Sequence, residues 1–138
     1  MPYTAQQMFD LVADVDKYPE FLPWCAACRV RLRHPLEDGE LMDADLVISF
    51  KVFREQFLSR VILRPEAGTI GVEYLDGPFK YLINDWSFQD EGDGCRVKFR
   101  VDFEFKSRTL QAIIGVVFNE AMRRIVGAFE ARAKALYG

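Results

Sequence analysis

The chain has 138 residues, half of them apolar, with 12 phenylalanines and a formal net charge of −3. This length suits one domain over residues 1–138, and the negative charge argues against a nucleic-acid-binding domain, because phosphate contacts normally leave a basic surface. No apolar run reaches the length of a membrane span and no signal peptide is apparent, so we expect a cytoplasmic protein, with peripheral contact at the inner membrane left open.

Two short helices are predicted at the N-terminus. Thr4 and Gln7 have capping-box spacing, and apolar residues then recur every three to four positions, which indicates a first helix from about Thr4 to Val15. Pro19 and Pro23 bracket a second helical turn, because the residue before a proline is disfavoured in helical backbone. This stretch is rich in aromatic residues and would either plug a core or cover a pocket. Its proposed lid residues are Tyr18, Phe21, Leu22 and Trp24.

The cysteines do not form a convincing metal or redox motif. Cys25 and Cys28 make a Cys-x-x-Cys pair, and a zinc site would need Cys95 and His34 to complete it. Cys95, however, falls on the apolar face of a predicted strand. A redox pair would begin a helix, whereas a strand follows here. We therefore expect ordinary half-buried cysteines and no bound metal.

Successive antiparallel strands are predicted from Cys28 to Phe105, with turn signals at residues 37–39, 65–68, 76–78 and 90–94. The last strand gives the clearest pattern, because every odd position in 95–105 is apolar and every even position in 96–106 is charged. A change of phase near Lys51 indicates a tight turn or a bulge.

Three polar residues interrupt the apolar faces. Glu55 and Ser59 are in phase with inward-facing residues of their strand, and Asn84 lies between two apolar positions of another. A bulge could turn them to solvent. The alternative is that Ser59 and Asn84, with Tyr74, meet the polar head of an otherwise apolar ligand, because a buried polar group needs a partner.

Basic residues alternate with apolar ones in the first predicted strand, at Arg29, Arg31 and Arg33. We interpret this triplet first as a solvated outer face and second as a binding patch. A binding patch would also draw on the outward positions of the last strand. Those positions are Arg96, Lys98 and Arg100.

The chain ends in a long amphipathic segment, with apolar residues at helical spacing from Leu110 to Leu136. At about 1.5 Å per residue this helix would be roughly 45 Å long. The expected fold is α+β, with a curved antiparallel sheet of about six or seven strands around the helix and two short N-terminal helices. A curved sheet that grips a long helix leaves a space between them. The proposed wall residues of that space are Phe50, Tyr74, Trp86, Phe103, Val117, Phe118 and Met122.

Several ordered motifs resemble one family. Residues 2–12, 14–15 and 18–25 are similar to the start of the coenzyme Q-binding START-like family of the polyketide cyclase/START superfamily, which includes the ribosome-association toxins of the RatA type. The sequence Asp76-Gly77-Pro78-Phe79, with Trp86 beyond it, resembles the family's central motif, and residues 103–107 and 131–133 resemble its tail. Phe79 joins the proposed ligand-binding residues on this basis.

The resemblance implies a helix-grip fold that encloses a lipid cavity. Its first functional implication is a carrier that binds ubiquinone or a similar isoprenoid lipid for respiratory electron transport and needs no other cofactor. Its second is a toxin that binds the large ribosomal subunit and hinders subunit association. A cyclase-type enzyme is a third alternative, but Glu55 is the sole acidic residue in phase with an inner face, and we expect no catalytic residues.

Family members usually have a strand before the Pro-Tyr-Thr-Ala element, and here Met1 stands almost directly at that element. Either the start codon has been assigned too late or the sheet lacks a strand, and a missing strand would leave an unpaired edge beside the last strand, where another chain could pair. The oligomeric state is left open.

Overall fold

The structure, a computed structural model, describes residues 1–50 and 53–138. Within them a six-stranded curved antiparallel sheet is covered by helices, as predicted. The helices are α1 (Ala5–Ala13), a 3-10 helix (Val15–Glu20) and α2 (Arg108–Tyr137). The strands are β1 (Cys25–Leu36), β2 (Gly39–Phe50), β3 (Phe53–Arg64), β4 (Thr69–Asp76), β5 (Phe79–Glu91) and β6 (Gly94–Phe105).

The sheet is a meander in which each strand pairs with the next, in the order β1 to β6. Hairpin connections hold the register, so that Ala44 of β2 lies opposite Ser59 of β3 and Trp86 of β5 lies opposite Phe99 of β6. The turn or bulge predicted near Lys51 lies outside the described residues. The first strand begins at Cys25, three residues earlier than the sequence pattern predicts.

The capping box that starts α1 is present. The Thr4 hydroxyl accepts a hydrogen bond from the Gln7 N–H at 3.1 Å, and the Gln7 side chain accepts from the Thr4 N–H at 2.9 Å. The helix ends at Ala13, before the predicted Val15. The following 3-10 helix contains Pro19, so the prediction that this proline bounds the helical turn is wrong.

Helix α2 has 30 residues, in agreement with the predicted length, and Ser107 caps its first turn by accepting from the Leu110 N–H at 3.2 Å. Its buried residues are spread along its length at Leu110, Ala121, Phe129 and Ala133. Within the described part of the chain, no helix combines the length and hydropathy that crossing a bilayer requires.

The buried apolar residues form two separate clusters at opposite ends of α2. The larger cluster joins α1, the sheet and the C-terminal part of α2, with Val12, Ile70 and Phe129 among its members. The smaller one consists of Phe79, Phe105 and Leu110 near the start of α2. This division leaves room under the middle of the helix.

In the described part of the chain the sheet ends at β6. Met1 is the only described residue that extends it: its amino group donates to the Cys95 carbonyl at 3.1 Å, and the Cys95 N–H donates to the Met1 carbonyl at 3.0 Å. At the far end of the same edge, the Gln111 side chain accepts from the Phe105 N–H at 2.9 Å. Successive residues of a strand direct their N–H and C=O groups to opposite sides. The N–H and C=O groups of Val97, Phe99, Val101 and Phe103 therefore point to the same edge as those of Cys95 and Phe105.

Candidate ligand cavity

Two contiguous apolar compartments lie between the concave face of the sheet and α2. The Ser59 compartment has a volume of about 240 Å³ and the Phe79 compartment about 250 Å³. Each is smaller than the roughly 300–1,000 Å³ of typical ligand pockets, but their shared walls make one elongated cavity. The residues that line both are Pro23, Ile48, Phe57, Leu82, Val101, Met122 and Ile125.

The Ser59 compartment lies beneath the C-terminal half of α2. Helix residues Met122, Ile125 and Phe129 form one wall, because spacings of three and four residues place them on one helix face. The strands supply the opposite wall. The sheet residues on it are Cys25, Leu46, Ile48, Phe57, Ser59, Val61, Ile70, Val72, Leu82, Asn84, Trp86, Phe99 and Val101.

The Phe79 compartment lies beneath the N-terminal half of α2 and is almost wholly apolar. Phe79 is buried at its base, its ring stacked on that of Phe105 with centroids 4.6 Å apart. Leu110, Ile113 and Ile114 close it from the helix side. Such a lining suits a hydrocarbon chain, because burying each methylene gains about 0.8 kcal/mol.

A third, wider cleft of about 780 Å³ opens at the edge of the sheet, between β6 and α2. It shares Trp86, Phe99 and Phe129 with the Ser59 compartment and so leads into it. Its rim also carries charged side chains. These are Glu91, Asp93, Arg96 and Glu130.

The aromatic segment at residues 18–24 is fixed against the rest of the fold rather than free of it. The Tyr18 hydroxyl donates to the Val12 carbonyl, and the Tyr18 and Phe21 rings both meet the Phe129 ring edge-on, at 5.7 and 5.4 Å. Trp24 has a positive φ of 64°, a conformation unfavourable for a bulky residue. Its carbonyl accepts from the Ser49 N–H at 2.8 Å, which ties the segment to β2.

Ser59 is the polar residue that the cavity leaves without a partner. It is 1% exposed, and its hydroxyl makes no hydrogen bond with any described residue. A buried unpaired hydroxyl costs about 1–3 kcal/mol, so a partner is expected when the cavity is filled. A register shift does occur beside Ser59 in the pairing of β3 with β4, but it does not turn Ser59 to solvent. The bulge alternative is therefore wrong for this residue.

Asn84 and Glu55, the other polar residues on the apolar strand faces, also line the cavity, and they differ in the hydrogen bonds they make. The Asn84 carboxamide bonds to Trp86 and to the main chain of β6, so one of its two donors and one of its two acceptor lone pairs are used inside the fold. Glu55 is half-buried on the wall of the Phe79 compartment. Tyr74 lies off the cavity, where its hydroxyl accepts from the Phe79 N–H at 3.0 Å.

Ten of the fourteen predicted ligand-binding residues line the two compartments, and their role in binding stays a prediction. They are Tyr18, Leu22, Trp24, Phe50, Ser59, Phe79, Asn84, Trp86, Phe103 and Met122. Among the described residues, four predicted positions lie off both linings: Phe21, Tyr74, Val117 and Phe118. Phe21 packs on Tyr18 and Phe129 instead, and Phe118 meets the ring of Phe103 at 5.8 Å.

The sequence interpretation missed several lining residues that its own patterns could have supplied. Ile125 and Phe129 follow Met122 at helical spacing, and Phe99 and Val101 precede Phe103 on the same face of β6. Phe57 lies between Glu55 and Ser59 in the same alternation of β3, which places it on the inner face.

Both thiols of the cysteine pair are half-buried. Cys25 and Cys28 lie in β1, a strand, rather than at the start of a helix that would stabilise a thiolate. Burial raises the pKa of Cys28 to about 12 and also raises the pKa of Cys25. Within residues 1–50 and 53–138, no group of three or more acidic, cysteine or histidine side chains is placed to hold a metal.

The outer face of the sheet is a mosaic of ion pairs rather than a basic patch. Four of the six cations proposed for such a patch have a carboxylate partner on the same or the neighbouring strand or at a strand end. The pairs are Arg31 with Asp45, Arg33 with Glu40 at 3.0 Å, Arg96 with Glu91 at 2.7 Å and Arg100 with Asp85 at 3.9 Å. This arrangement supports the interpretation as a solvated face.

A curved antiparallel sheet, a long C-terminal helix and an enclosed apolar cavity define a helix-grip domain of the START type. Comparison with solved structures agrees. The 18 kDa protein CC1736 from Caulobacter crescentus superimposes with a TM-score of 0.83 at 40% identity, over 100% of this chain and 93% of that one. The Zhui aromatase/cyclase from Streptomyces gives a TM-score of 0.79 at 13% identity over 97% of this chain and 88% of that one, which shows the shared fold alone.

The family follows from sequence comparison. The family model described as polyketide cyclase / dehydrase and lipid transport matches residues 1–130, and the chain belongs to this family. It is 39% identical to the Ribosome association toxin RatA of Pseudomonas aeruginosa, over 100% of this chain and 93% of the relative. It is 32% identical to the mitochondrial Coenzyme Q-binding protein COQ10 homolog B of Xenopus laevis, over 99% of this chain and 56% of that protein. Both branches of the predicted resemblance are thus present among its relatives.

Proposed function

We propose that this protein is a ribosome-directed factor of the RatA type, which binds the large subunit in the cytoplasm and hinders subunit association. The observation that supports this most strongly is its similarity, along nearly its whole length, to proteins named Ribosome association toxin RatA. The coverage of the Pseudomonas protein is almost complete in both directions, whereas the chain spans little more than half of the COQ10 relative.

The charge distribution favours α2 as the surface that meets ribosomal RNA. The helix carries five Arg or Lys and two Glu residues, a net charge of +3. The whole chain carries 18 Lys or Arg and 21 Asp or Glu, so the part outside α2 has 13 cations, 19 anions and a net charge of −6. A cationic stripe on an otherwise acidic protein can bind phosphate while the rest of the surface limits non-specific attachment.

The middle of α2 holds an excess of positive charge at exposed positions. Arg123 and Arg124 share one carboxylate, Glu120, at 3.7 and 3.2 Å, and their side chains are 78% and 63% exposed. One charge is therefore left over at the surface. On the sheet face, by contrast, Arg31, Arg33, Arg96 and Arg100 each pair with a separate carboxylate.

Sedimentation with purified ribosomal subunits tests the proposal. The wild type should co-sediment with the large subunit at low salt, reduce subunit joining and dissociate as salt rises, because phosphate contacts release counterions. Replacing both Arg123 and Arg124 with Glu should weaken binding at least tenfold. It should also reduce the slope of the logarithm of the binding constant against the logarithm of salt concentration by about two, one for each lost phosphate contact. The matched control, Arg96→Glu with Lys98→Glu on the sheet face, should bind almost as the wild type does. Absence of binding, or binding insensitive to salt and to the α2 change, would refute the proposal.

A second candidate function is the carriage of ubiquinone or a similar isoprenoid lipid without catalysis. The elongated cavity favours it, because a nearly apolar lining with few hydrogen-bonding groups suits a long hydrocarbon with a compact polar end. Four buried isoprene methylenes alone would contribute about 3 kcal/mol, before the entropic cost of binding.

Organic extraction of protein purified from a quinone-producing host, preceded by native mass spectrometry, tests the carrier function. A bound mass that matches a quinone or isoprenoid lipid in the extract is the expected result. If the purified protein holds no lipid and a short-tailed quinone added to it does not bind, the carrier function is excluded. This result would leave the ribosomal proposal standing, because the two functions use different surfaces.

A further inference from the structure

The unpartnered hydroxyl of Ser59 marks a specific point inside the cavity. Ser59 projects from β3 into the Ser59 compartment, is 1% exposed and has no hydrogen-bond partner among the described residues. Folded proteins rarely leave such a group unpaired. Its strand neighbours Phe57 and Val61, which also line the compartment, offer no polar side chain.

The other hydrogen-bonding side chains around this compartment are already engaged. The Tyr18 hydroxyl donates to the Val12 carbonyl, and the Asn84 carboxamide both accepts and donates within the fold. Cys25 directs its thiol toward the Ala27 carbonyl at 3.8 Å. Ser59 is therefore the buried side chain of this compartment whose donor and acceptor capacity is wholly unused among the described residues.

The size of the compartment limits what can reach Ser59. An apolar cavity of about 150 Å³ holds a benzene molecule, so the 240 Å³ here accommodates a substituted six-membered ring. The adjoining Phe79 compartment is more strictly apolar and continues along α2, whereas the edge cleft on the other side carries charged residues. A hydrocarbon tail is thus better placed in the Phe79 compartment than in the cleft.

We propose that Ser59 donates a hydrogen bond to a carbonyl oxygen on the ring of a bound isoprenoid quinone, which lies ring-first in the Ser59 compartment with its tail in the Phe79 compartment. This inference rests on the second candidate function. It makes Ser59 the residue that distinguishes a carbonyl-bearing ring from a plain hydrocarbon, since most other contacts are apolar and the Tyr18 and Asn84 side chains are bonded within the fold.

Two ligands with the same tail test the assignment: a benzoquinone with two isoprene units, and a benzene ring carrying the same two units without carbonyls. The wild type should bind the quinone about tenfold more tightly than the hydrocarbon, and Ser59→Ala should remove most of this difference while leaving hydrocarbon affinity unchanged. The infrared carbonyl band of the bound quinone should lie at lower frequency in the wild type than in the variant. Ser87→Ala, on the outward side of β5, should behave as the wild type does.

The stability of the empty protein separates this role from a structural one. Because the hydroxyl is unpaired, Ser59→Ala should unfold at the same temperature as the wild type or higher in the absence of ligand. If the wild type binds both ligands equally, or if Ser59→Ala keeps its preference for the quinone, the Ser59 contact is refuted while the carrier function stands. If neither ligand binds the wild type, the carrier function itself fails, and this inference with it.

Discussion

The indole N–H of Trp86 donates a hydrogen bond to the carboxamide oxygen of Asn84 at 3.1 Å, and the Asn84 amide in turn donates to the Arg100 carbonyl at 3.0 Å. The chain of bonds links β5 to β6 and holds Trp86 on the cavity wall, where its ring meets Phe129 of α2 edge-on at 5.3 Å. A polar residue that interrupts an apolar strand face thereby orients the largest ring of the Ser59 compartment.

Asn84→Ala should lower the free energy of unfolding by about 1–2 kcal/mol, because the partly buried indole N–H loses its partner. Urea unfolding measures this loss, and the tryptophan emission of the folded variant should shift as Trp86 gains rotational freedom. Asn119→Ala, at an exposed position of α2, is the matched control and should change stability by less than about 0.5 kcal/mol. Equal effects of the two substitutions would show that the Asn84 bonds do not stabilise the fold.

Val101 lies where the two compartments join, and a larger side chain there should block the passage between them. Val101→Phe is expected to weaken binding of a short-tailed isoprenoid quinone at least tenfold. Its cost in stability should stay below about 3 kcal/mol, because the new ring enters existing space. Val116→Phe, at a position 86% exposed on α2, adds the same atoms outside the cavity and should leave affinity unchanged. Calorimetric titration of both variants decides whether the joined compartments are the binding site.

Local patterns in the sequence were sufficient for the fold but not for the cavity. The capping box at Thr4 and the strict alternation in β6 depend on neighbours two to four residues apart, so they can be read directly. Val117 and Phe118 lie off both linings because the rotation of a helix about its axis is set by packing against the sheet. Pro19 enters a 3-10 helix because the bonds there are made by other N–H groups, including that of Phe21 to the Tyr18 carbonyl.

The ion pairs on the outer face of the sheet also could not be predicted from local sequence patterns. Alternation shows that Arg31 points away from the core, but its pairing with Asp45 depends on the register between β1 and β2, which joins residues fourteen positions apart. A sequence pattern on one strand cannot reveal which charges lie across from it.

The Arg31–Asp45 pair should be more important for stability than the exposed pairs around it. The Asp45 side chain is only 10% exposed, so Arg31→Gln leaves a nearly buried carboxylate without its cation. We expect a loss of about 1–3 kcal/mol, smaller than for a fully buried pair because the Arg31 side chain is itself 55% exposed. Arg100→Gln, which breaks a 3.9 Å pair between exposed side chains, should cost less than about 0.5 kcal/mol. Denaturant titrations that ranked the two variants in the opposite order would contradict this assignment.

The half-buried thiol of Cys28 should make stability fall at alkaline pH. Its pKa is about 12 in the folded protein against 9.0 for an ordinary thiol, so the unfolded chain loses this proton first as the pH rises. The contribution of Cys28 to stability is therefore complete below pH 9 and is lost progressively toward pH 12. In a variant with Cys25→Ala and Cys95→Ala, alkylation of the remaining thiol should show no inflection near pH 9, whereas the same chain in urea should show one. An inflection near pH 9 in the folded protein would mean that Cys28 is not held in its neutral form.

Gly77 occupies a turn where no side chain fits, and its replacement tests how closely β4 and β5 pack on Phe57. Its φ of 146° favours glycine, and a Cβ at this position would lie 2.5 Å from the Phe57 Cβ. Gly77→Ala should therefore destabilise the protein by about 2–3 kcal/mol, through backbone strain and displacement of Phe57. Gly71→Ala in β4 meets nothing within 4 Å and should be neutral or slightly stabilising, because alanine restricts the unfolded chain. Since Phe57 lines both compartments, Gly77→Ala should also weaken binding of the quinone, and unchanged affinity in a destabilised variant would show that the ring returns to its place on the wall.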